Sequence, residues 1–175
     1  MSEVEAKDII VNDSKSKAII QELEEVIMPE NEERVVAIDR ISRTVKGGRR
    51  IRFRALVVVG NRAGQVGVGL AKGTDVQTAI AKAKNEAAKT TITVPMYKGT
   101  IHHQVEATFE KTKVILKPAP EGHSIIAGAS VRAVVELAGI NNIVSKAIGS
   151  SSPINTASAT FLALKNLIKS PYRRS

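Results

Sequence analysis

Two strand-like runs joined by Gly47-Gly48 constrain the fold of this chain more than any other feature of its sequence. The first run covers residues 34–46 and the second covers residues 49–59. Two glycines between such runs are a turn signal, because glycine adopts the positive φ angles that tight hairpin turns require. The second run ends in Leu56-Val-Val-Val59, which is apolar on both faces and predicts a buried central segment. We therefore predict an antiparallel β-hairpin with one end inside a core.

Charge is distributed very unevenly along the chain. Residues 1–33 contain ten acidic and three basic side chains, a net charge of −7, whereas residues 34–175 contain 23 basic and seven acidic side chains, a net charge of +16. A body this basic repels itself unless a polyanion neutralises it, and RNA, DNA or an anionic membrane would serve. Aromatic residues make up only 3% of the chain. That is too few for a base-stacking platform and favours a partner bound through its phosphates and its shape.

Arginines occupy every second position from Arg50 to Arg54, at the start of the second strand. Because side chains alternate across a strand, their three guanidinium groups should share one face, about 6.6 Å apart. Arginine binds phosphate through two N–H groups at once, which lysine does not match, so we favour nucleic-acid binding over a merely solvated charged surface. The candidate RNA-binding residues are Arg40, Arg43, Lys46, Gly47, Gly48, Arg49, Arg50, Arg52, Arg54, Arg62 and Lys72.

A third strand and a helix follow the hairpin. Residues 65–70 alternate between apolar side chains and the glycines Gly67 and Gly69, whose bare backbone allows a helix or a partner to approach closely. Thr74 is the predicted N-cap of a helix over residues 75–89, with Gln77 completing a capping box. An acidic extension, residues 1–32, precedes this unit and contains apolar residues at helical spacing over positions 14–28, which predicts an amphipathic helix.

Residues 98–175 hold a second set of elements. Strands are predicted at residues 100–108, 113–117 and 142–148, with helices at 128–138 and after Ser152. The first helix would carry an Arg132/Glu136 ion pair, and the second an inward stripe formed by Ala157, Phe161, Leu164 and Ile168. We therefore predict two α+β domains, residues 33–97 and 98–175. The first has the order β-β-β-α, typical of the double-stranded-RNA-binding fold when a helix precedes it, and the second has the order β-β-α-β-α.

Nothing in the sequence predicts catalysis, a metal site or a cofactor. Gly67 and Gly69 lie within a strand, whereas a nucleotide-binding fingerprint places its glycines in a turn before a helix. His102 and His103 are adjacent, so on a strand they would point to opposite faces and could not share a metal. Cysteine is absent, which fits a reducing cytoplasm. The sequence has no run of about 18 apolar residues, the length that would predict a membrane span. The acidic N-terminus resembles neither a secretory signal nor a transit peptide.

Seven short motifs, in order along residues 33–164, resemble the family of the fifth protein of the bacterial small ribosomal subunit. They are Val45-Lys-Gly-Gly-Arg49, Val59-Gly-Asn-Arg-Ala-Gly64, Val66-Gly-Val-Gly69, Pro118-Ala-Pro-Glu-Gly122, Ile125-Ile-Ala-Gly128, Val131-Arg-Ala-Val-Val-Glu136 and Gly149-Ser-Ser-Ser-Pro-Ile-Asn155. The resemblance implies a double-stranded-RNA-binding-type N-terminal domain. It also implies a C-terminal domain with a left-handed β-α-β crossover, an exception to the usual hand.

The resemblance further implies partners and a location. These are small-subunit ribosomal RNA, the fourth and eighth proteins of that subunit, and messenger RNA where it enters its channel, all on cytoplasmic ribosomes. In the family, the loop matching residues 42–49 reaches toward the head and neck of the subunit, near the spectinomycin site. The segment matching residues 122–132 borders the fourth protein and influences decoding accuracy. The candidate protein-interface residues are therefore Gly122, Ser124, Gly128 and Arg132.

One position departs from the family pattern. Members usually have Glu-Gly-Thr-Gly where this chain has Glu121-Gly-His-Ser124, so the local loop and its protein contact depend on how serine is accommodated. Two other functions are weighed against the ribosomal one. A free double-stranded-RNA-binding module would share the basic hairpin but would not travel with ribosomes, and an enzyme built on the second domain would need a phosphate loop and clustered carboxylates.

Overall fold

The structure of the protein, a computed structural model, describes residues 31–167. The predicted helix at positions 14–28 and Ile168 lie outside the described residues. The first half contains β1 (Glu32–Val45), β2 (Gly48–Gly60), β3 (Gln65–Gly73), α1 (Val76–Lys89) and β4 (Ile92–Thr93). These four strands form one antiparallel sheet in the order β1-β2-β3-β4. The predicted hairpin, third strand and helix are therefore confirmed.

The second half forms a separate sheet covered by two helices. Its elements are β5 (Met96–Tyr97), β6 (Thr100–Ile101), β7 (Val105–Phe109), β8 (Thr112–Pro118), β9 (Ile125–Ile126), α2 (Ala129–Ala138), β10 (Ile143–Gly149) and α3 (Pro153–Lys165). The sheet order is β7-β8-β10-β9, while β5 and β6 pair as a small ribbon. Since β9 runs parallel to β10, helix α2 connects two adjacent parallel strands. The chain thus has a mixed α+β fold.

Helix α1 packs on one face of the first sheet. Its buried residues Ala79, Ala83 and Ala87 form a cluster with Ala55, Val57 and Val59 of β2. The approach depends on the bare glycines of β3, because a Cβ atom on Gly69 would lie 2.0 Å from the Ala83 carbonyl oxygen. The predicted role of these glycines is confirmed. The helix begins one residue later than predicted, since its N-cap is Asp75, whose backbone N–H donates to the Thr78 hydroxyl at 3.2 Å.

The opposite face of the first sheet joins the second half in a single apolar core. Leu56 and Val58 of β2 belong to the same buried cluster as Val134 of α2 and Ala163 of α3. Backbone contacts reinforce this junction, because the Arg62 N–H donates to the Leu137 carbonyl at 3.0 Å. The apolar residues of the second half are therefore packed against the first sheet as well as against one another.

The second half differs from the prediction in three details. The strand predicted over residues 100–108 is interrupted by a bend at residues 102–104, between β6 and β7. The short strand β9 was not predicted, because two residues are too few to show an alternating pattern. Phe161 is only partly buried, and the inward face of α3 is lined by small residues such as Ala159 and Thr160.

Candidate nucleic-acid interface

The β1–β2 hairpin ends in a tip that is exposed on both faces. Val45 pairs with Gly48 across a two-residue turn formed by Lys46 and Gly47. Every residue from Lys46 to Arg52 is exposed. Because neighbouring side chains on a strand point to opposite faces, such an unbroken run means that neither face of the tip is covered by the described chain.

One face of the hairpin carries a row of guanidinium groups, which we call the arginine face: Arg43, Arg50, Arg52 and Arg54. Arg43 lies directly opposite Arg50 on the paired strand, and Arg52 and Arg54 follow on the same side of β2. Residues directly opposite in an antiparallel pair share a face. Lys72 of β3 pairs with Arg54 and extends the row. The structure therefore brings together the alternating arginines that the sequence placed on one face.

Arg54 differs from the other members of the arginine face because it has an internal partner. Its Nε and Nη2 atoms donate to one carboxylate oxygen of Asp39, at 3.2 and 2.7 Å. Within residues 31–167, Arg43, Arg50 and Arg52 take part in no such ion pair. Three exposed guanidinium groups without a carboxylate partner in the described chain remain on this face for an external anion.

The other face of the hairpin, which we call the groove face, carries Arg40 and Arg49. These two arginines border a shallow concavity of about 160 Å³ together with Ser42 and Ile51. The Ser42–Ile51 pair lies between the Arg40–Phe53 and Thr44–Arg49 pairs, so the Ser42 hydroxyl shares a face with both guanidinium groups. This combination of two cations and a hydroxyl can donate several hydrogen bonds to one anion.

The tip between the two faces exposes glycine backbone. Gly47 and Gly48 have φ angles of 98° and 150°, and a Cβ atom added at either would meet nothing within 4 Å. The open space lets a large partner approach the Gly47 backbone closely, whereas Gly48 is paired with Val45 in the hairpin. The side chain of Lys46 is exposed at the same turn.

Arg62 lies apart from the rest of the predicted RNA-binding set. It follows the far end of β2, and twelve residues of strand separate that end from the tip by about 40 Å. Its Nη2 atom pairs with Glu32 at 2.7 Å. Arg62 was predicted to act with the hairpin because it is close to the hairpin in the sequence. The turn after Gly60 places it on a different surface.

That surface is a cleft of about 570 Å³ near the start of α2. Three of the predicted protein-interface residues line or border it, because Gly122, Ser124 and Arg132 surround it together with Arg62. Gly128 does not line the cleft and serves as the N-cap of α2, its carbonyl accepting from the Arg132 N–H at 2.8 Å. Ser124 has a φ angle of 60°, in the left-handed region that favours glycine.

Glu136 at the edge of this cleft pairs with Arg34 of β1 rather than with Arg132 as predicted. The Arg34 Nη1 and Nη2 atoms donate to the two carboxylate oxygens of Glu136 at 2.7 and 3.1 Å. These hydrogen bonds lower the pKa of Glu136 and raise that of Arg34, although partial burial opposes both shifts. Arg132 instead donates to the Ile125 carbonyl at 3.3 Å. The sequence could not reveal a pair whose members are 102 residues apart.

The histidines do not form a metal site. His102 and His103 lie in the bend between β6 and β7, not on a strand as predicted, and the His102 ring centroid lies 5.7 Å from that of Tyr97. In residues 31–167, no group of three His, Asp or Glu side chains is placed to hold a metal ion. None of the helices in this part of the chain is long and apolar enough to cross a membrane.

Comparison with protein families agrees with the motifs and with this arrangement. The family model for ribosomal protein S5, N-terminal domain, matches residues 31–95, which hold the first sheet and α1. The model for ribosomal protein S5, C-terminal domain, matches residues 107–171, which hold most of the second sheet together with α2 and α3. The two matches together cover well over half of the chain and confirm the resemblance. The chain therefore belongs to the ribosomal protein S5 family, whose members are structural, non-enzymatic constituents of the small ribosomal subunit that bind its RNA.

Proposed function

We propose that this protein binds small-subunit ribosomal RNA chiefly through its β1–β2 hairpin, and that the arginine face supplies most of the affinity. The observation that carries the proposal is the row of exposed guanidinium groups on Arg43, Arg50 and Arg52, mounted on a two-stranded ribbon. The ribbon fixes their spacing, so little conformational freedom is lost when phosphates bind. Each arginine can make a two-point contact with one phosphate.

The finer assignments extend the same proposal. The first sheet with α1 acts as a domain of the double-stranded-RNA-binding type, and the β9-α2-β10 connection crosses with the left hand. The cleft around Ser124 and Arg132 receives the fourth small-subunit protein and thereby influences decoding accuracy, while the eighth protein is a second neighbour. Other basic side chains help to line the channel where messenger RNA enters. The site of action is the cytoplasmic ribosome.

The test of the hairpin is the salt dependence of RNA binding. Phosphate contacts release counterions, so each contact that is lost flattens the plot of log affinity against log salt by about 0.7–0.9. We expect the triple variant Arg43→Gln/Arg50→Gln/Arg52→Gln to lose about 2 to 3 units of this slope on small-subunit rRNA. Its thermal unfolding midpoint should be unchanged, because these side chains are exposed.

Arg54→Gln is the matched control, since it removes the same functional group from the same face. Asp39 already neutralises Arg54, so we expect a smaller change in slope than for Arg52→Gln. Equal changes for these two single variants, or an unchanged slope in the triple variant, would contradict the assignment. Sedimentation with small subunits in high salt separates a ribosomal constituent, which should travel with them, from a free RNA-binding module, which should not.

A further inference from the structure

The hairpin carries cations on both of its faces, and the two sets are chemically different. The arginine face presents Arg43, Arg50 and Arg52 in an open row. The groove face presents Arg40 and Arg49 around a concavity that also contains the Ser42 hydroxyl. Opposite faces of a strand point in opposite directions. A ligand lying along one face therefore leaves the other face open.

We infer that the two faces bind two separate RNA helices at the same time, so that the hairpin acts as a bridge between them. The inference rests on the proposed function, since it concerns how the same hairpin uses RNA. It adds that Arg40 and Arg49 form a second phosphate site, distinct from the arginine face. Ser42 completes that site as a hydroxyl donor between the two guanidinium groups.

A single RNA helix would not satisfy both faces. A two-stranded ribbon can enter the major groove of B-form DNA and touch its two walls, but the major groove of A-form RNA is deep and too narrow for protein to enter and read. An RNA helix must therefore meet the ribbon from one side, along its minor groove or its phosphate backbone. The cations on the far side then face away from that helix and are available to another one.

The body of the protein leaves room for two helices. Residues 42–44 of β1, the turn residues 46–47 and residues 48–52 of β2 are all exposed, so neither α1 on one side nor the second half on the other side reaches this part of the hairpin. The groove face continues onto the α1 side of the sheet, because Ile51 and Phe53 follow the same alternation as Val57, which packs with α1. The arginine face continues onto the side that carries Leu56 and the shared core. The two bound helices would thus lie on opposite sides of the molecule.

The experiment measures bridging directly with the full-length chain. Two pools of the same RNA duplex, about 16 base pairs long, carry a donor and an acceptor fluorophore, and they are mixed in twofold excess over protein at low salt. We expect energy transfer between duplexes and a stoichiometry of two duplexes per chain by analytical ultracentrifugation. Arg40→Gln/Arg49→Gln should still bind one duplex with an unchanged salt slope, because the arginine face keeps its phosphate contacts, but should show no energy transfer.

Two further variants make the outcome decisive. Arg43→Gln/Arg50→Gln/Arg52→Gln should also lose energy transfer while its groove face still binds a duplex. Lys111→Gln/Lys146→Gln removes two exposed charges from the second sheet and should keep the energy transfer. Energy transfer that survives in Arg40→Gln/Arg49→Gln, or one duplex per wild-type chain, would overturn the bridge but leave the proposed function standing. A wild-type chain that binds no duplex at low salt would overturn both.

Discussion

Ser124 occupies a backbone conformation that suits glycine better than serine. Its φ angle of 60° lies in the left-handed region, which costs an L-residue roughly 1–2 kcal/mol. Glycine avoids that cost but adds about 0.5–1 kcal/mol of backbone entropy to the unfolded chain. The first effect is larger, so we expect Ser124→Gly to raise the free energy of unfolding by about 0.5–1 kcal/mol. Urea denaturation measures this change.

The control for this prediction is Ser124→Ala, which keeps the strained backbone and should bring no gain. The loop geometry itself should persist in both variants, because the Ser124 N–H donates to the Asn142 side-chain oxygen at 3.1 Å and its carbonyl accepts from the Ile143 N–H at 3.2 Å. A Ser124→Gly chain no more stable than wild type would show that the surrounding loop already compensates for the strain.

The ion pair between Arg34 and Glu136 should make stability depend on pH. Hydrogen bonds from Arg34 lower the pKa of Glu136 in the folded chain, so the pair stabilises the fold above the unfolded pKa of about 4.3. That contribution is lost as the pH falls through the folded value. We expect Glu136→Gln to lower the free energy of unfolding by about 0.5–1 kcal/mol at pH 7, and the difference from wild type to shrink as the pH falls through the folded pKa of Glu136.

A double-mutant cycle with Arg34→Gln isolates the pairwise contribution. Its coupling energy should be larger at pH 7 than at pH 3, measured by denaturant unfolding at each pH. A coupling energy that is the same at both values would mean that the two side chains interact through packing and not through charge.

Helix α1 can approach the first sheet closely because β3 carries glycines at positions 67, 69 and 73 on that face. A Cβ atom on Gly69 would lie 2.0 Å from the Ala83 carbonyl oxygen and 2.6 Å from the Ala87 nitrogen. Backbone atoms cannot rotate away, so we expect Gly69→Ala to lower the free energy of unfolding by about 3 kcal/mol. Gly128→Ala is the control, since nothing lies within 4 Å of its added Cβ and loss of an N-cap glycine costs about 1 kcal/mol or less. Equal losses in thermal stability would contradict the close packing.

Long elements with a clear period were predictable from the sequence, and short ones were not. The hairpin follows from alternation around Gly47-Gly48, and α1 follows from alanines at helical spacing facing bare glycines. No local sequence pattern predicts the bend at residues 102–104, because tertiary contacts hold the adjoining β5–β6 ribbon in place. The Gly99 carbonyl in that ribbon accepts from the Asn141 and Asn142 N–H groups at 2.8 and 3.0 Å. A strand of two residues such as β9 is likewise defined by its partner β10 and not by its own pattern.

The candidate site was predictable to the same degree. Alternation placed Arg50, Arg52 and Arg54 on one face, and pairing across the turn then adds Arg43 to them. Long-range partners were outside the reach of sequence patterns. The Arg34–Glu136 pair spans 102 residues, and Arg62 joins the cleft because the chain turns after Gly60.

Taken as a whole, residues 31–167 are held together by contacts between the first sheet and the second half. The shared core includes Leu56 and Val58 from the first sheet and Val114 from the second. Gly60 brings the two backbones together, because a Cβ atom there would lie 2.3 Å from the Leu137 carbonyl oxygen. The Gly64 N–H also donates to the Ala138 carbonyl at 3.0 Å. Separating the halves at residue 97 would expose apolar side chains on both, so we expect them to unfold together.

Val57→Ala tests this cooperativity, since Val57 is fully buried against α1 and belongs to the first half alone. Deleting its two methyl groups should lower the free energy of unfolding by about 2 kcal/mol. If unfolding is global, the slowest-exchanging amides of β2 should lose protection by a factor of about 30, and those of α3 should lose it by the same factor. Native-state hydrogen exchange measures both sets. Val114→Ala gives the reciprocal test, because it should lower protection in α1 although the substitution lies in β8. If residues 33–97 and 98–175 were instead independent folding domains, each substitution would leave protection in the other half unchanged.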